Sequence, residues 1–120
     1  MIDVIAVLSR VRHFSDVAGD EAFDITPVVA AACREMADRL VNDEAAADER
    51  IINACVYLSY YRLLLRAVLS GDITDTTKAG DITVSQSPSL RLEWAARMRD
   101  ESLLAAYPLL KDTEFVFEQV

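Results

Sequence analysis

Residues 48–70 read DERIINACVYLSYYRLLLRAVLS, and this stretch decides the fold of the chain. It predicts a helix with apolar side chains on nearly every side, and such a helix has to be covered by other elements over most of its surface. Asn53, Arg62 and Arg66 interrupt the run, which is typical of a buried central helix and not of a membrane span. With 120 residues, 52% of them hydrophobic, the chain is long enough to supply that cover as one domain.

Three more helices are predicted around the central one. Residues 2–14 place apolar side chains at helical spacing, namely Val4, Ile5, Val7, Leu8, Val11 and Phe14. Thr26–Pro27 and Ser87–Pro88 are start signals, because a proline at the first helical position loses no hydrogen bond. They predict helices over residues 27–41 and 88–107, and Pro108 ends or kinks the last one.

The two proline-started helices are each expected to turn an apolar side inward. For residues 27–41 the inward set is Val28, Val29, Ala32, Cys33, Met36 and Leu40. For residues 88–107 it is Leu92, Trp94, Ala95, Met98, Leu103 and Ala106. The polar residues Glu93, Arg97, Asp100 and Glu101 are expected to face water.

Two segments depart from the helical pattern. Residues 71–87, GDITDTTKAGDITVSQS, alternate Ile82 and Val84 with small polar residues, which predicts a short β-hairpin or an extended arm. Residues 113–120, TEFVFEQV, form a β-prone C-terminal tail with Phe115 and Phe117 on one side. Such segments pair either with each other or with a partner's strand, and the sequence leaves both possibilities open.

The fold class predicted for residues 1–120 is therefore all-α, a single helical domain. It is a bundle of about four helices with the arm at about 71–87 and the tail at 113–120. Ile82, Val84, Phe115 and Phe117 are the candidate contacts with other subunits or partners, because apolar residues on extended segments seldom remain in water.

The charge balance is acidic, with 12 Lys and Arg against 20 Asp and Glu and a net charge of −8. Such a chain repels phosphate, so we expect neither sequence-independent binding to nucleic acid nor docking on anionic membranes. The N-terminus has Asp3 and no basic residue before its apolar stretch, which is unlike a signal peptide. A cytosolic location is expected.

Few residues suggest chemistry. His13 is the only histidine, and at the end of a helix it more often stabilises that end than catalyses a reaction. Cys33 and Cys55 lie in apolar patterns and are expected to be buried free thiols. No spacing typical of a metal, phosphate or cofactor site occurs, so we predict no catalytic, cofactor-binding or metal-binding residue.

Arg62 and Arg66 lie near Tyr57, Tyr60 and Tyr61, and this group is the part of the sequence most similar to a nucleic-acid-binding face. We favour a different interpretation, in which these arginines extend from a core helix to pair with acids on neighbouring helices.

The order of these features resembles small bacteriophage and prophage head–tail connector proteins, also called head-completion or adaptor proteins. Three stretches carry the resemblance: 48–62, DERIINACVYLSYYR; 78–85, KAGDITVS; and the end of the final helix with 109–112, LLKD, and the tail FVF at 115–117. The resemblance covers most of the chain and involves no catalytic signature.

The resemblance implies a non-enzymatic structural role, with no cofactor. Such proteins assemble as rings of their own copies below the portal, contact portal and tail proteins, and pass from the host cytoplasm into the virion. A ring requires two different patches that meet head to tail, and residues 71–87 and 113–120 are natural donors for them. A net acidic wall would also let DNA pass without binding.

Two other functions remain open. One is a small cytosolic bacterial adaptor or regulator that acts as a helical dimer. The other is a small enzyme or binding domain that uses His13 or a pair of carboxylates with shifted pKa values.

Overall fold

The computed structural model describes residues 1–14, 25–69 and 88–111. This part of the chain has four α-helices: α1, Val4–Val11; α2, Thr26–Ala37; α3, Glu49–Leu69; and α4, Pro88–Ala106. Short 3-10 helices follow α2 and α4, at Asp43–Ala47 and Tyr107–Leu109. The prediction of an all-α bundle is confirmed. The predicted arm and tail, with Ile82, Val84, Phe115 and Phe117, lie outside the described residues.

Helix α3 is the centre of the bundle, as its sequence predicts. The other three helices all pack against it. Ile51, Cys55, Leu63 and Leu64 are fully buried along its length, and Ser59 is buried with them. The Ser59 hydroxyl donates to the carbonyl oxygen of Cys55 at 2.7 Å, so this polar group is satisfied within the helix.

Helix α1 begins at a side-chain cap and packs by a narrow apolar side. The amides of Ile5 and Ala6 donate to Asp3 Oδ1 at 3.1 and 3.2 Å. Val7 and Val11 are fully buried, but Ile5 is 77% exposed. Ile5 is one of the apolar residues at helical spacing but lies off the buried side, because at 3.6 residues per turn it is about 160° around the helix from Val7.

Helix α2 is shorter than predicted. It begins at Thr26 and ends at Ala37, four residues before the expected end at Val41. The chain leaves the helix because Leu40 forms an isolated antiparallel bridge with Leu110. The amide of Val41 donates to Leu109 O at 2.9 Å, and the amide of Lys111 donates to Arg39 O at 2.7 Å.

The predicted inward sides of α2 and α4 are confirmed in most positions. In α2, Val29, Ala32, Cys33 and Met36 are buried and Val28 is half-buried; Leu40, beyond the helix end, is buried too.

In α4, Ala95, Leu103 and Ala106 are buried and Leu92 and Met98 are half-buried. Trp94 was expected to face inward, but it is 41% exposed, although its ring contacts the rings of Tyr57 and Tyr60 on α3. Asp100 was expected to face water and is half-buried, because it pairs with Arg99.

Candidate functional site

A stripe of large apolar and charged residues runs along the outer side of α4. Its residues are Leu90, Trp94, Arg97, Glu101 and Leu104, separated by four, three, four and three positions, and we call them the α4 stripe. At 3.6 residues per turn they lie within about 80° of one another around the helix. The three apolar members are 54%, 41% and 51% exposed, in chain order. The residues of the stripe thus share one side of the helix.

The α4 stripe makes this helix unusual for the surface of a bundle. A surface helix normally has one apolar side facing the core and a polar side facing water. In α4 the inward side holds Ala95, Leu103 and Ala106, and large apolar residues occur on the outward side as well. Large apolar residues that remain exposed on one side of a helix, here with two charged residues between them, make that side a candidate contact surface.

The two charged members of the stripe have no partners of their own. Within residues 1–14, 25–69 and 88–111, neither Arg97 nor Glu101 forms an ion pair or a side-chain hydrogen bond. Arg99, by contrast, donates from Nε to Asp100 Oδ1 at 3.0 Å and stacks over the Tyr61 ring at 4.4 Å. Arg97 and Glu101 therefore remain available to charges outside the chain.

An aromatic cluster holds the stripe in place from below. The Trp94 ring meets the rings of Tyr57 and Tyr60 edge-on, with centroids 6.4 and 6.0 Å apart. Phe14 stacks on Tyr60 with centroids 4.2 Å apart, and Tyr60 is buried. Because the cluster joins the end of α1 to α3 and α4, Trp94 has a defined orientation although much of its ring is exposed.

Sequence reasoning missed the α4 stripe. It assigned Trp94 to the inward side of the helix as part of the apolar pattern, and it gave Leu90 and Leu104 no role. The signal was present in the spacing, since residues 90, 94, 97, 101 and 104 repeat at three and four positions like the inward set. Apolar residues on two sides of one predicted helix would have indicated a contact surface in addition to the side that faces the core.

Two open clefts lie on the described surface. One, of 280 Å³, adjoins the stripe between α3 and α4 and is lined by Arg50, Asn53, Tyr57, Met98, Glu101, Ser102 and Ala105. The other, of 440 Å³, is lined by Arg62, Leu65, Arg66 and Leu69 near the end of α3.

One arginine in each cleft is already held by an acid. Arg50 donates to Asp48 Oδ1 at 3.0 Å, and this hydrogen bond holds the pKa of the Asp48 carboxyl below its usual value. Arg62 donates to both carboxylate oxygens of Glu35 on α2, at 2.8 and 2.9 Å, and lowers the pKa of Glu35 in the same way. The interpretation of Arg62 as the partner of an acid on a neighbouring helix is confirmed.

The remaining candidates for chemistry are two thiols and one imidazole. Cys33 and Cys55 are free and buried, as predicted, and their side chains are hydrogen-bonded to each other between α2 and α3. That bond, together with burial, raises the pKa of the Cys55 thiol far above its ordinary value. His13 is exposed, and its Nδ1 lies 3.0 Å from the Ser9 carbonyl oxygen at the end of α1. This position fits a role at the helix end.

In the part of the chain that the structure describes, no three or more His, Cys, Asp or Glu side chains are grouped so that they could hold a metal ion. None of the helices described is both long and apolar enough to cross a membrane. Comparison with protein-family models, with curated proteins and with solved structures gives no match to this chain.

Proposed function

We propose that this protein is a non-catalytic structural component of a bacteriophage or prophage particle, where rings of its copies join the head to the tail. The observation that carries the proposal is the resemblance of residues 48–62 to connector proteins, together with the central place of this segment in the bundle. Most of it lies in α3, on which the other three described helices pack.

The charge of the chain supports the same role. A net charge of −8 gives a ring of copies a strongly acidic field, and like charges oppose the binding of DNA phosphates. DNA would therefore pass such a ring without being retained. The partners in this proposal are other copies of the chain and the portal and tail proteins, first in the bacterial cytoplasm and then in the virion.

The proposal is tested by affinity capture of the tagged chain from its native host after prophage induction, with mass spectrometry of the eluate. We expect portal, capsid or tail proteins to be recovered. An eluate of host proteins without virion proteins would contradict the connector role.

A paired variant tests which residues make the contacts. Ile82→Asp with Val84→Asp should abolish recovery of virion proteins, because charges replace the apolar residues of the proposed arm. Thr83→Asp with Ser85→Asp is the matched control, since it adds the same charge at the alternate positions. Equal recovery with both variants would exclude Ile82 and Val84 as contacts. Phe115→Asp and Phe117→Asp, made singly, can be compared in the same way with Val116→Asp, which adds the same charge at the position between them.

A dimeric helical adaptor is the second candidate function, and the α4 stripe is the observation that favours it. An isologous dimer uses the same patch on both copies, whereas a ring needs two different patches. A dimer in solution, together with a capture eluate that lacks virion proteins, would move the adaptor to first place.

A further inference from the structure

We propose that two copies of this chain pair through their α4 stripes, antiparallel and related by a twofold axis. The proposal concerns the free protein and does not depend on the connector role. The partner that covers the exposed side of α4 is a second copy of the chain. When two stripes run antiparallel, the charged residues of one can face opposite charges of the other, and the apolar residues can face apolar residues.

The charges give the register of the pair. When the twofold axis passes opposite position 99, position 97 of each helix faces position 101 of the other. Arg97 of each copy then faces Glu101 of the second copy, and symmetry produces this ion pair twice. Both side chains lack an ion pair within the described part of a single chain, so the contact breaks no existing one.

The same register brings the apolar members together. Position 94 faces position 104, so each Trp94 packs on Leu104 of the second copy. Position 90 faces position 108, so each Leu90 meets the exposed Pro108 that follows α4. All three large apolar residues of the stripe, which are 41–54% exposed in one copy, would thus be covered. Polar or charged residues placed among apolar ones in a contact between helices help to fix the partner and the register of the pair.

The flanking charges do not oppose this register. Glu93, at the edge of the stripe, faces position 105, which is Ala105. Asp100 faces position 98, which is Met98, and its carboxylate is already paired with Arg99 of its own chain. Arg99 lies at the axis, but its side chain is on the inward side of α4, over the Tyr61 ring, so the two copies of Arg99 do not meet. Within the stripe and at its edges no two like charges therefore lie directly opposite each other, and such an opposition would penalise this register.

The size and charge of the contact predict a weak dimer. A contact through one helix on each copy buries less than a standard protein interface, so we expect a dissociation constant of about 1–100 µM. Because each copy has a net charge of −8, the copies repel one another, and physiological salt screens this long-range repulsion more than the close ion pairs. The dissociation constant should therefore be measured at about 0.15 M salt.

Sedimentation equilibrium of the full chain over a range of concentrations tests the proposal, with single and double charge reversals. Arg97→Glu places Glu opposite Glu twice, and Glu101→Arg places Arg opposite Arg twice. Each should weaken the dimer roughly 10- to 100-fold. The double variant Arg97→Glu/Glu101→Arg restores two opposite-charge pairs and should regain most of the lost affinity. Leu104→Asp should leave a monomer, because it removes the apolar contact on both sides of the axis.

Two controls separate this surface from general effects on charge and folding. Arg34→Glu makes the same change in net charge on the exposed surface of α2, and Ile5→Asp makes the same apolar-to-acid change on α1. Both should dimerise like the wild type, and circular dichroism should show unchanged helix content in every variant. A wild-type monomer at the highest concentration, a dimer insensitive to Leu104→Asp, or a double reversal no better than the single ones would each overturn the proposal.

Discussion

At the scale of single residues, the two cysteines should be unreactive in the folded protein. Both thiols are buried between α2 and α3, and the raised pKa of Cys55 keeps it in the unreactive thiol form. We expect an aromatic disulfide reagent to label them at least ~100-fold more slowly in buffer than in denaturant, since labelling requires local opening. A Glu44→Cys variant supplies a matched exposed thiol that should react at once. Two fast thiols in the native wild type would contradict the burial.

The Glu35–Arg62 ion pair should make stability depend on pH. The pKa of Glu35 lies below the usual 4.5 because Arg62 donates two hydrogen bonds to its carboxylate, and Arg39 adds to the effect. The folded state therefore binds this proton less readily than the unfolded state does, so the contribution is present above the ordinary pKa and is lost as pH falls through the lowered one.

Because both side chains are partly exposed, Glu35→Gln should cost only about 0.2–1 kcal/mol of unfolding free energy at pH 7. The difference from the wild type should shrink as pH falls below 4.5 and vanish once pH has passed through the lowered pKa of Glu35. Urea unfolding at pH 7 and at a series of decreasing pH values measures it, with Glu44→Gln as an exposed control. A difference that persists at low pH would show that Gln disturbs packing and not the ion pair.

Residue chemistry predicted the kind of partner that Arg62 has, but not its identity. A charged side chain on a core helix has to reach an acid or water, so pairing with a neighbouring helix followed from the residue type. The acid is Glu35, 27 positions earlier, and no local spacing relates the two. Only the crossing of α2 over α3 brings these side chains together.

At the scale of elements, the bridge between Leu40 and Leu110 should contribute to stability. Lys111→Pro removes the amide that donates to Arg39 O at 2.7 Å, and we expect a loss of about 1–3 kcal/mol. The preceding residue tolerates the change, because Leu110 is already extended, with φ −108° and ψ 137°. Lys111→Ala keeps the amide and should be nearly neutral in denaturant unfolding. Equal stability of the two variants would mean that this hydrogen bond is replaced by water at no cost.

The same bridge explains why the end of α2 could not be predicted. Apolar spacing continues through Leu40, and a helical pattern alone gives no reason to stop at Ala37. The hydrogen bonds that replace a further turn of α2 are made with residues 109–111, some 70 positions away. A long-range pairing therefore ends the helix. Trp94 illustrates a second limit, because the apolar pattern assigned it to the inward side although it is 41% exposed in the structure.

At the scale of the whole molecule, the four helices and their common centre were predictable. The reason is that α3 is apolar on most sides, which requires cover from several directions and allows few arrangements in a chain of this length. The α4 stripe was not predictable in the same way, because apolar spacing does not distinguish a side that faces the core from one that faces another molecule.

A helix that contacts all the others should also make unfolding a single transition. Trp94 is the only tryptophan, and its fluorescence reports on the packing of α4 against Tyr57 and Tyr60, while circular dichroism reports on all helices. We expect the two signals to give the same midpoint in urea. Leu63→Ala, which empties a fully buried position on α3, should lower the unfolding free energy by about 2–5 kcal/mol and shift both midpoints together.

Leu69→Ala is the matched control, because Leu69 lies on the same helix and is 77% exposed, so its truncation should change stability little. If the fluorescence midpoint moved without the circular dichroism midpoint, α4 would unfold as a unit separate from α1, α2 and α3. In that case α4 would fold only when two copies pair through it. Because pairing depends on concentration, the midpoint of the fluorescence transition would rise with protein concentration. Coincident midpoints at concentrations below the dissociation constant would instead show that one copy holds α4 in place before it meets another.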